Sequence, residues 1–230
     1  MNPHSKGCFI VFEGLDGSGK STQVGELETK LQNMKYEVIT TREPTKKSAI
    51  GGIIERILYN HTEVPDEVLA LLFAADRTFH TINTIRPALE RGLIVVSDRY
   101  VYSSLAYQSR GMNKKLDVEW LKTINQEAIV PDMVVFLDIS PEEGEVRLIE
   151  GQKRVQDHNF FENVKKQARI REGYYEIFDF NKLENFVQDS NIKIDNGVKI
   201  SKLNNTEILK IDATLPVSYT HLTLPTTPYV

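Results

Sequence analysis

Apolar residues in this chain come in short unbroken runs, separated by longer stretches in which they recur every three or four positions. Cys8-Phe9-Ile10-Val11-Phe12 is the first run, and the glycines between Gly14 and Gly19 end it. From Ser21 to Met34 the chain is polar, with Val24, Leu27 and Leu31 at the spacing of one helical face. Further runs of strand character cover 37–40, 93–97, 133–137 and 208–211, with helix-length intervals between them. The interval before the third run holds two helical patterns, 50–58 and 66–90, and Pro87 is expected to interrupt the second. Helical, charged patterns over 142–149 and 161–178 flank a polar stretch, 150–159, which reads as a mobile lid. Asp195-Asn196-Gly197 predicts a hairpin turn between 191–194 and 198–200. Strands that are apolar throughout and alternate with helices predict a parallel sheet buried on both faces, hence a three-layer α/β/α fold.

Composition narrows the class. A chain of 230 residues, 40% hydrophobic and 26% charged, has the material for one well-buried core, which excludes disorder and fibrous repeats. A net charge of −4 argues against nucleic-acid polymers as partners. With Cys8 the single cysteine, intramolecular disulfides and multi-cysteine zinc sites are excluded, and Cys8 reads as core packing. No run is long enough for a membrane span, and the first apolar run is too short for a secretory signal, so a cytoplasmic setting without a membrane partner is expected. Formal charge stops at Asp212, which sets 215–230 apart as a tail unlike the rest.

Gly14-Leu15-Asp16-Gly17-Ser18-Gly19-Lys20-Ser21 satisfies G-x-x-x-x-G-K-[ST] between a predicted strand and a predicted helix, the context this motif requires. The backbone N–H groups of such a loop form an anion nest, and the following helix, with Thr22 in its first turn, adds its positive end. Lys20 supplies a charge to the β- and γ-phosphates, and the Ser21 hydroxyl can enter a Mg²⁺ shell. A nucleoside triphosphate is therefore the expected ligand. An N-K-x-D guanine signature is absent and the chain is short for a motor or transporter, which leaves a compact phosphotransferase or a P-loop ligase. At a later strand end, Ser97-Asp98-Arg99-Tyr100 precedes Ser103, Ser104, Tyr107 and Gln108. Strand ends of a parallel sheet face the ligand crevice, so Asp98 can hold Mg²⁺ through water and Arg99 can clamp a phosphate.

In several motifs in register the chain resembles thymidylate kinases. They are Phe12 to Gln23, Thr41-Arg42-Glu43-Pro44-Thr45, Leu72 to His80, Ser97 to Tyr100 through Ala106-Tyr107-Gln108, Pro131-Asp132 with Val134 to Asp138, and Ile211-Asp212-Ala213-Thr214. The resemblance implies a P-loop NTPase fold with a helical lid, and in-line transfer of the ATP γ-phosphoryl group to dTMP. It implies that Phe73 stacks on thymine, that Arg77, Ser104 and Gln108 read the base edge, and that Tyr107 lies under the sugar. Arg42 and Arg99 would grip the dTMP phosphate, while Glu13 and Asp16 would help to organise Mg²⁺, water and the acceptor. The loop stretch Asp16-Gly17-Ser18 carries no basic residue, so by resemblance the catalytic cation belongs to the lid, which offers Arg147, Lys153 and Arg154, with Arg154 expected to close over the phosphoryl group and Arg147 to support it. A homodimer is implied as well. One kinase domain over 1–214 is expected, with a lid at about 143–162 and a hairpin insertion at about 181–206. The uncharged tail resembles a translated adaptor sequence and is expected to replace a native C-terminal helix. The alternatives are another deoxynucleotide or deoxynucleoside kinase, or an ATP-binding regulator that transfers nothing.

Overall fold

The computed structural model describes residues 7–110, 115–151, 160–180, 198–203 and 206–214. The first apolar run forms β1 (Cys8–Gly14), which lies inside a six-stranded sheet. The order across the sheet is β2 (Val38–Arg42), β3 (Ile94–Asp98), β1, β4 (Met133–Asp138), β6 (Thr206–Asp212) and β5 (Val198–Leu203). The first five are parallel, and β5 runs antiparallel to β6 at the edge. Phe9 to Phe12, Val95, Val96 and Val134 to Phe136 are buried, as strands covered on both faces must be.

Between the strands run α1 (Lys20–Asn33), α2 (Ala49–Tyr59), α3 (Asp66–His80), α4 (Arg86–Glu90), α5 (Val101–Gln108), α6 (Val118–Ile124), α7 (Pro141–Glu150) and α8 (Phe160–Ile177). Ser48, Asp117 and Ser140 cap the N-termini of α2, α6 and α7 by accepting from Gly51, Trp120 and Glu143 N–H. One feature differs from the sequence reading. Pro87 does not break its helix: the chain widens into a π-helical turn over Thr81–Ile85 and continues as α4. Pro87 lacks an N–H and crowds the carbonyl one turn back, and the wider turn accommodates both effects. Of the hairpin expected around Asp195-Asn196-Gly197, only the second arm is among the described residues. Val198–Leu203 pairs with Thr206–Asp212 in a register that joins Leu203 to Thr206, leaving only Asn204 and Asn205 between the arms. The 191–194 arm lies outside the described residues, as do the tail 215–230 and most of the polar stretch read as a lid.

One side of the sheet carries an aromatic cluster in which Phe136 meets Tyr174, Phe178 and Phe180 at ring-centroid distances of 5.1, 5.6 and 5.4 Å. At the end of the same strand, Asp138 accepts from Arg171 Nε at 2.7 Å and from Tyr175 OH at 2.6 Å, with Lys210 Nζ 3.1 Å away. Burial raises the Asp138 pKa, but these hydrogen bonds and charges outweigh it and hold the carboxyl below its usual value. Together they pin α8, the helix after the polar stretch, to β4 and β6. No helix among the described residues is long and apolar enough to cross a membrane. Phe136→Ala should destabilise the protein by about 3–5 kcal/mol, read as a lower urea midpoint, because the ring is fully buried among aromatic neighbours that cannot refill its volume.

Candidate active site

Gly19 caps α1 with left-handed dihedrals and no side-chain hydrogen bond, so the first N–H groups of α1 remain available to an anion. Lys20 folds back over the loop, donating to the carbonyls of Gly14 and Leu15 at 3.1 and 2.6 Å and to Ser18 Oγ at 3.3 Å. Burial, reinforced by the positive charge of Arg99, lowers its pKa to about 7. A cavity of about 590 Å³ runs along the loop, and Arg42, Asp98, Arg99 and Arg147 complete its wall. At its edge Ser21 Oγ donates to Asp98 Oδ2 at 2.6 Å, joining a hydroxyl and a carboxylate from two elements. The loop is braced from outside: a Cβ on Gly17, whose φ is +79°, would lie 2.2 Å from the carbonyl oxygen of Gly144 in α7.

Arg99 adopts a left-handed backbone (φ +72°), unusual for a side chain of its size. That turn sends its guanidinium back over the loop. It donates to Gly14 O at 3.2 Å, to Ser103 Oγ at 3.0 Å and to Asp16 Oδ1 at 2.5 Å, and its Cζ lies 5.1 Å from the centre of the Tyr107 ring. Gln167 of α8 reaches the other Asp16 oxygen at 3.3 Å. Glu13, expected with Asp16 to help organise Mg²⁺, lies at the centre of a hydrogen-bond network. It is fully buried, and its oxygens accept from Tyr100 N–H (2.9 Å), Ser103 N–H (3.0 Å), Ser103 Oγ (2.6 Å) and Tyr174 OH (2.8 Å). Burial raises its pKa, while the bonds from Ser103 and Tyr174 and the charge of Arg99 oppose the rise. Glu13 thus holds the start of α5 and the middle of α8 and makes no hydrogen bond to Ser21 or Asp98.

A second cluster lies between α3 and α5. Phe73 and Arg77 are one turn apart on α3, as are Ser104 and Gln108 on α5, and Arg77 Nη2 donates to Ser104 Oγ at 2.9 Å. Phe73 is half-buried and stands outside the main hydrophobic core. The carboxamide of Gln108 is buried, and neither its nitrogen nor its oxygen finds a partner among the described residues. Arg154 and Lys153 lie outside the described residues. Arg147 donates to Glu143 Oε1 and to Ala213 O, which fixes it against the loop after β6.

Several residues that shape the site escaped the sequence reading. Glu43 accepts from Arg77 Nε at 2.8 Å, and its other oxygen lies 3.0 Å from His80 Nδ1. His80 Nε2 in turn meets Thr41 Oγ1 at 2.7 Å, and Asp76 accepts from Thr45 and Ser48. The loop that carries Arg42 is therefore bolted to α3. His80, Asp76, Asn125, Tyr174 and Gln167 gave no motif of their own; burial of polar residues at helical spacing on α3 was the available signal for the first two.

The family model for thymidylate kinase matches residues 12–218. The chain is 43% identical over 180 residues to a protein named probable thymidylate kinase from Thermococcus gammatolerans, covering 74% of this chain and 83% of that one. It is 40% identical over 193 residues to a probable thymidylate kinase from Thermococcus kodakarensis, covering 79% and 90%. To the thymidylate kinase of Pelotomaculum thermopropionicum it is 39% identical over 197 residues, covering 79% and 89%. The chain belongs to the thymidylate kinase family.

The low pKa of Lys20 sets a proton-linked signature. In the free protein Lys20 is mostly neutral above about pH 7, and a bound triphosphate restores its charge. ATP binding at pH 8 should therefore take up roughly one proton and at pH 6 almost none, measured by calorimetry in buffers of different ionisation enthalpy. Lys20→Met should abolish the uptake at pH 8.

Proposed function

We infer that this protein is a thymidylate kinase, an ATP-dependent phosphotransferase that moves the γ-phosphoryl group of ATP to a phosphate oxygen of dTMP and releases dTDP and ADP. The observation that carries the choice of acceptor is the Gln108 carboxamide, buried with no partner for its donor or acceptor among the described residues and one turn after Ser104, which Arg77 contacts. A carboxamide of that kind matches the alternating acceptor and donor edge of a pyrimidine, and leaving it unmatched costs about 1–3 kcal/mol. Phe73, one turn before Arg77, supplies a flat apolar face for the ring.

The reaction needs two anions held in line, and positioning and charge do most of that work. The loop N–H groups from Gly14 to Thr22 and Lys20 bind the donor phosphates. Arg42 and Arg99 hold the acceptor phosphate, and Asp16, bonded to Arg99, orients it. Tyr107, beneath the Arg99 guanidinium, borders the sugar. Arg154 is proposed to complete the charge from the lid, with Arg147 anchoring the helix before it. The hard oxygen donors Ser21 Oγ and Asp98 Oδ2 fit Mg²⁺, with Glu13 acting behind them through α5. When bound, Mg²⁺ would neutralise charge on the donor phosphates. A cytoplasmic location fits the single, half-buried cysteine.

A homodimer is part of this proposal. Val68, Leu71 and Phe79 lie on one face of α3, Ile82 continues it, and each is about half exposed. An apolar stripe of this kind is suited to a second copy of the same helix.

Two experiments test these readings. In an assay coupled to ADP release, dTMP should be phosphorylated faster than dGMP, dCMP or thymidine. Gln108→Leu should raise the KM for dTMP by roughly tenfold or more. Faster turnover of another acceptor would replace the reading with a different nucleotide kinase, and inactivity with every monophosphate would favour a regulator. Leu71→Glu with Phe79→Glu should convert the dimer to a monomer in sedimentation equilibrium; a wild-type protein that sediments as a monomer would overturn the dimer.

A further inference from the structure

Arg77 is more tightly held than base recognition by itself requires. Its side chain is 2% exposed. Oε2 of Glu43 lies 2.8 Å from Nε and 2.8 Å from Nη2, and Nη2 also reaches Ser104 Oγ at 2.9 Å and Tyr100 O at 3.3 Å. Nη1 donates to Asn125 Oδ1, the residue that ends α6. Both partners are themselves fixed. Asn125 Nδ2 donates to Leu121 O at 2.8 Å, so it is the amide oxygen that faces Arg77. Glu43 is steadied by His80, which is tied to Thr41.

A guanidinium carries five N–H donors in one plane, has no acceptor and does not lose its proton. With Nε and Nη2 engaged and one Nη1 hydrogen on Asn125, the second Nη1 hydrogen has no acceptor among the described residues. The planar fork leaves it a single direction. Asn125 therefore decides where the last donor of Arg77 points.

We propose that Asn125 is a specificity-determining positioning residue: with Glu43 it locks Arg77 so that its remaining N–H accepts a pyrimidine with a carbonyl at position 4 and rejects one with an amino group there. The proposal rests on the dTMP reading and deepens it. Gln108 cannot make this distinction, because a carboxamide turned by 180° offers either a donor or an acceptor to the ring nitrogen. Arg77 cannot turn, and it has only donors. A 4-amino group would set donor against donor in a buried site, where an unmade hydrogen bond is most costly.

The test compares dTMP with 5-methyl-dCMP, which share the sugar, the phosphate and the 5-methyl group. The wild-type enzyme should prefer dTMP in kcat/KM by about a hundredfold or more. Asn125→Ala should cut that preference by about tenfold or more, mainly through a higher KM for dTMP, with ATP affinity unchanged. Asn125→Asp retains an acceptor for Nη1 and should keep the preference within about threefold of wild type. A merely structural role would lower both substrates together and leave their ratio fixed, which would overturn the proposal. If Asn125→Ala does not fold, Asn125→Asp carries the test, since loss of the preference in that folded variant overturns it too. A wild-type enzyme that uses neither pyrimidine would instead overturn the dTMP reading beneath it, whereas dTMP activity with an unchanged ratio in both variants sinks only the role of Asn125.

Discussion

A carboxylate with no access to water, Glu13, stands at the end of the central strand and takes hydrogen bonds from α5 and α8. A buried charge is tolerable only when its hydrogen-bonding capacity is filled. Glu13 meets that demand by drawing in two backbone N–H groups and two hydroxyls, and in doing so it sets where α5 begins. Arg99 lies immediately before that start, so its left-handed backbone and its reach over the phosphate loop follow from the same constraint. Ser103 is shared by Glu13 and Arg99, which makes the anion-gripping arginine and its buried counter-charge parts of one network.

Glu43 repeats the device just after β2, two strands away in the sheet. It follows Arg42 in sequence, its N–H donates to Asp98 O, and its carboxylate holds Arg77. Arg99 and Arg77, two of the arginines proposed to touch the acceptor, are thus each paired with an acidic residue near a strand end. The acidic balance of the chain and the cationic needs of its site are reconciled locally, with carboxylates behind the guanidinium groups. Networks of this kind are costly when half-made, which favours one arrangement of the strand ends over loose alternatives.

How much of this the sequence discloses depends on the range of the interaction. The loop from Gly14 to Ser21 is local, and its flanking strand and helix were readable from periodicity alone. Arg77, Ser104 and Gln108 were legible only through motifs in register, because nothing in the lettering of α3 says that it faces α5. The hydrogen-bond partners of Glu13 were hidden for a related reason: they lie 87 to 161 positions away. The short helices α5 and α6 are too brief for a periodic signal, so Asn125 had no element to be read from. The pairing of β5 with β6 had no local signal of its own, because the strongest turn letters nearby, Asn196-Gly197, lie before β5.

The contact between Gly17 and Gly144 bears on how such an enzyme can be redesigned. Placing a basic residue in the phosphate loop would be simplest at the centre of Asp16-Gly17-Ser18. There the backbone of α7 occupies the space where a side chain would start. Any residue larger than glycine at that position must push away the first turns of α7. In this chain a basic residue at the centre of the loop therefore requires rebuilding α7 as well as replacing a residue.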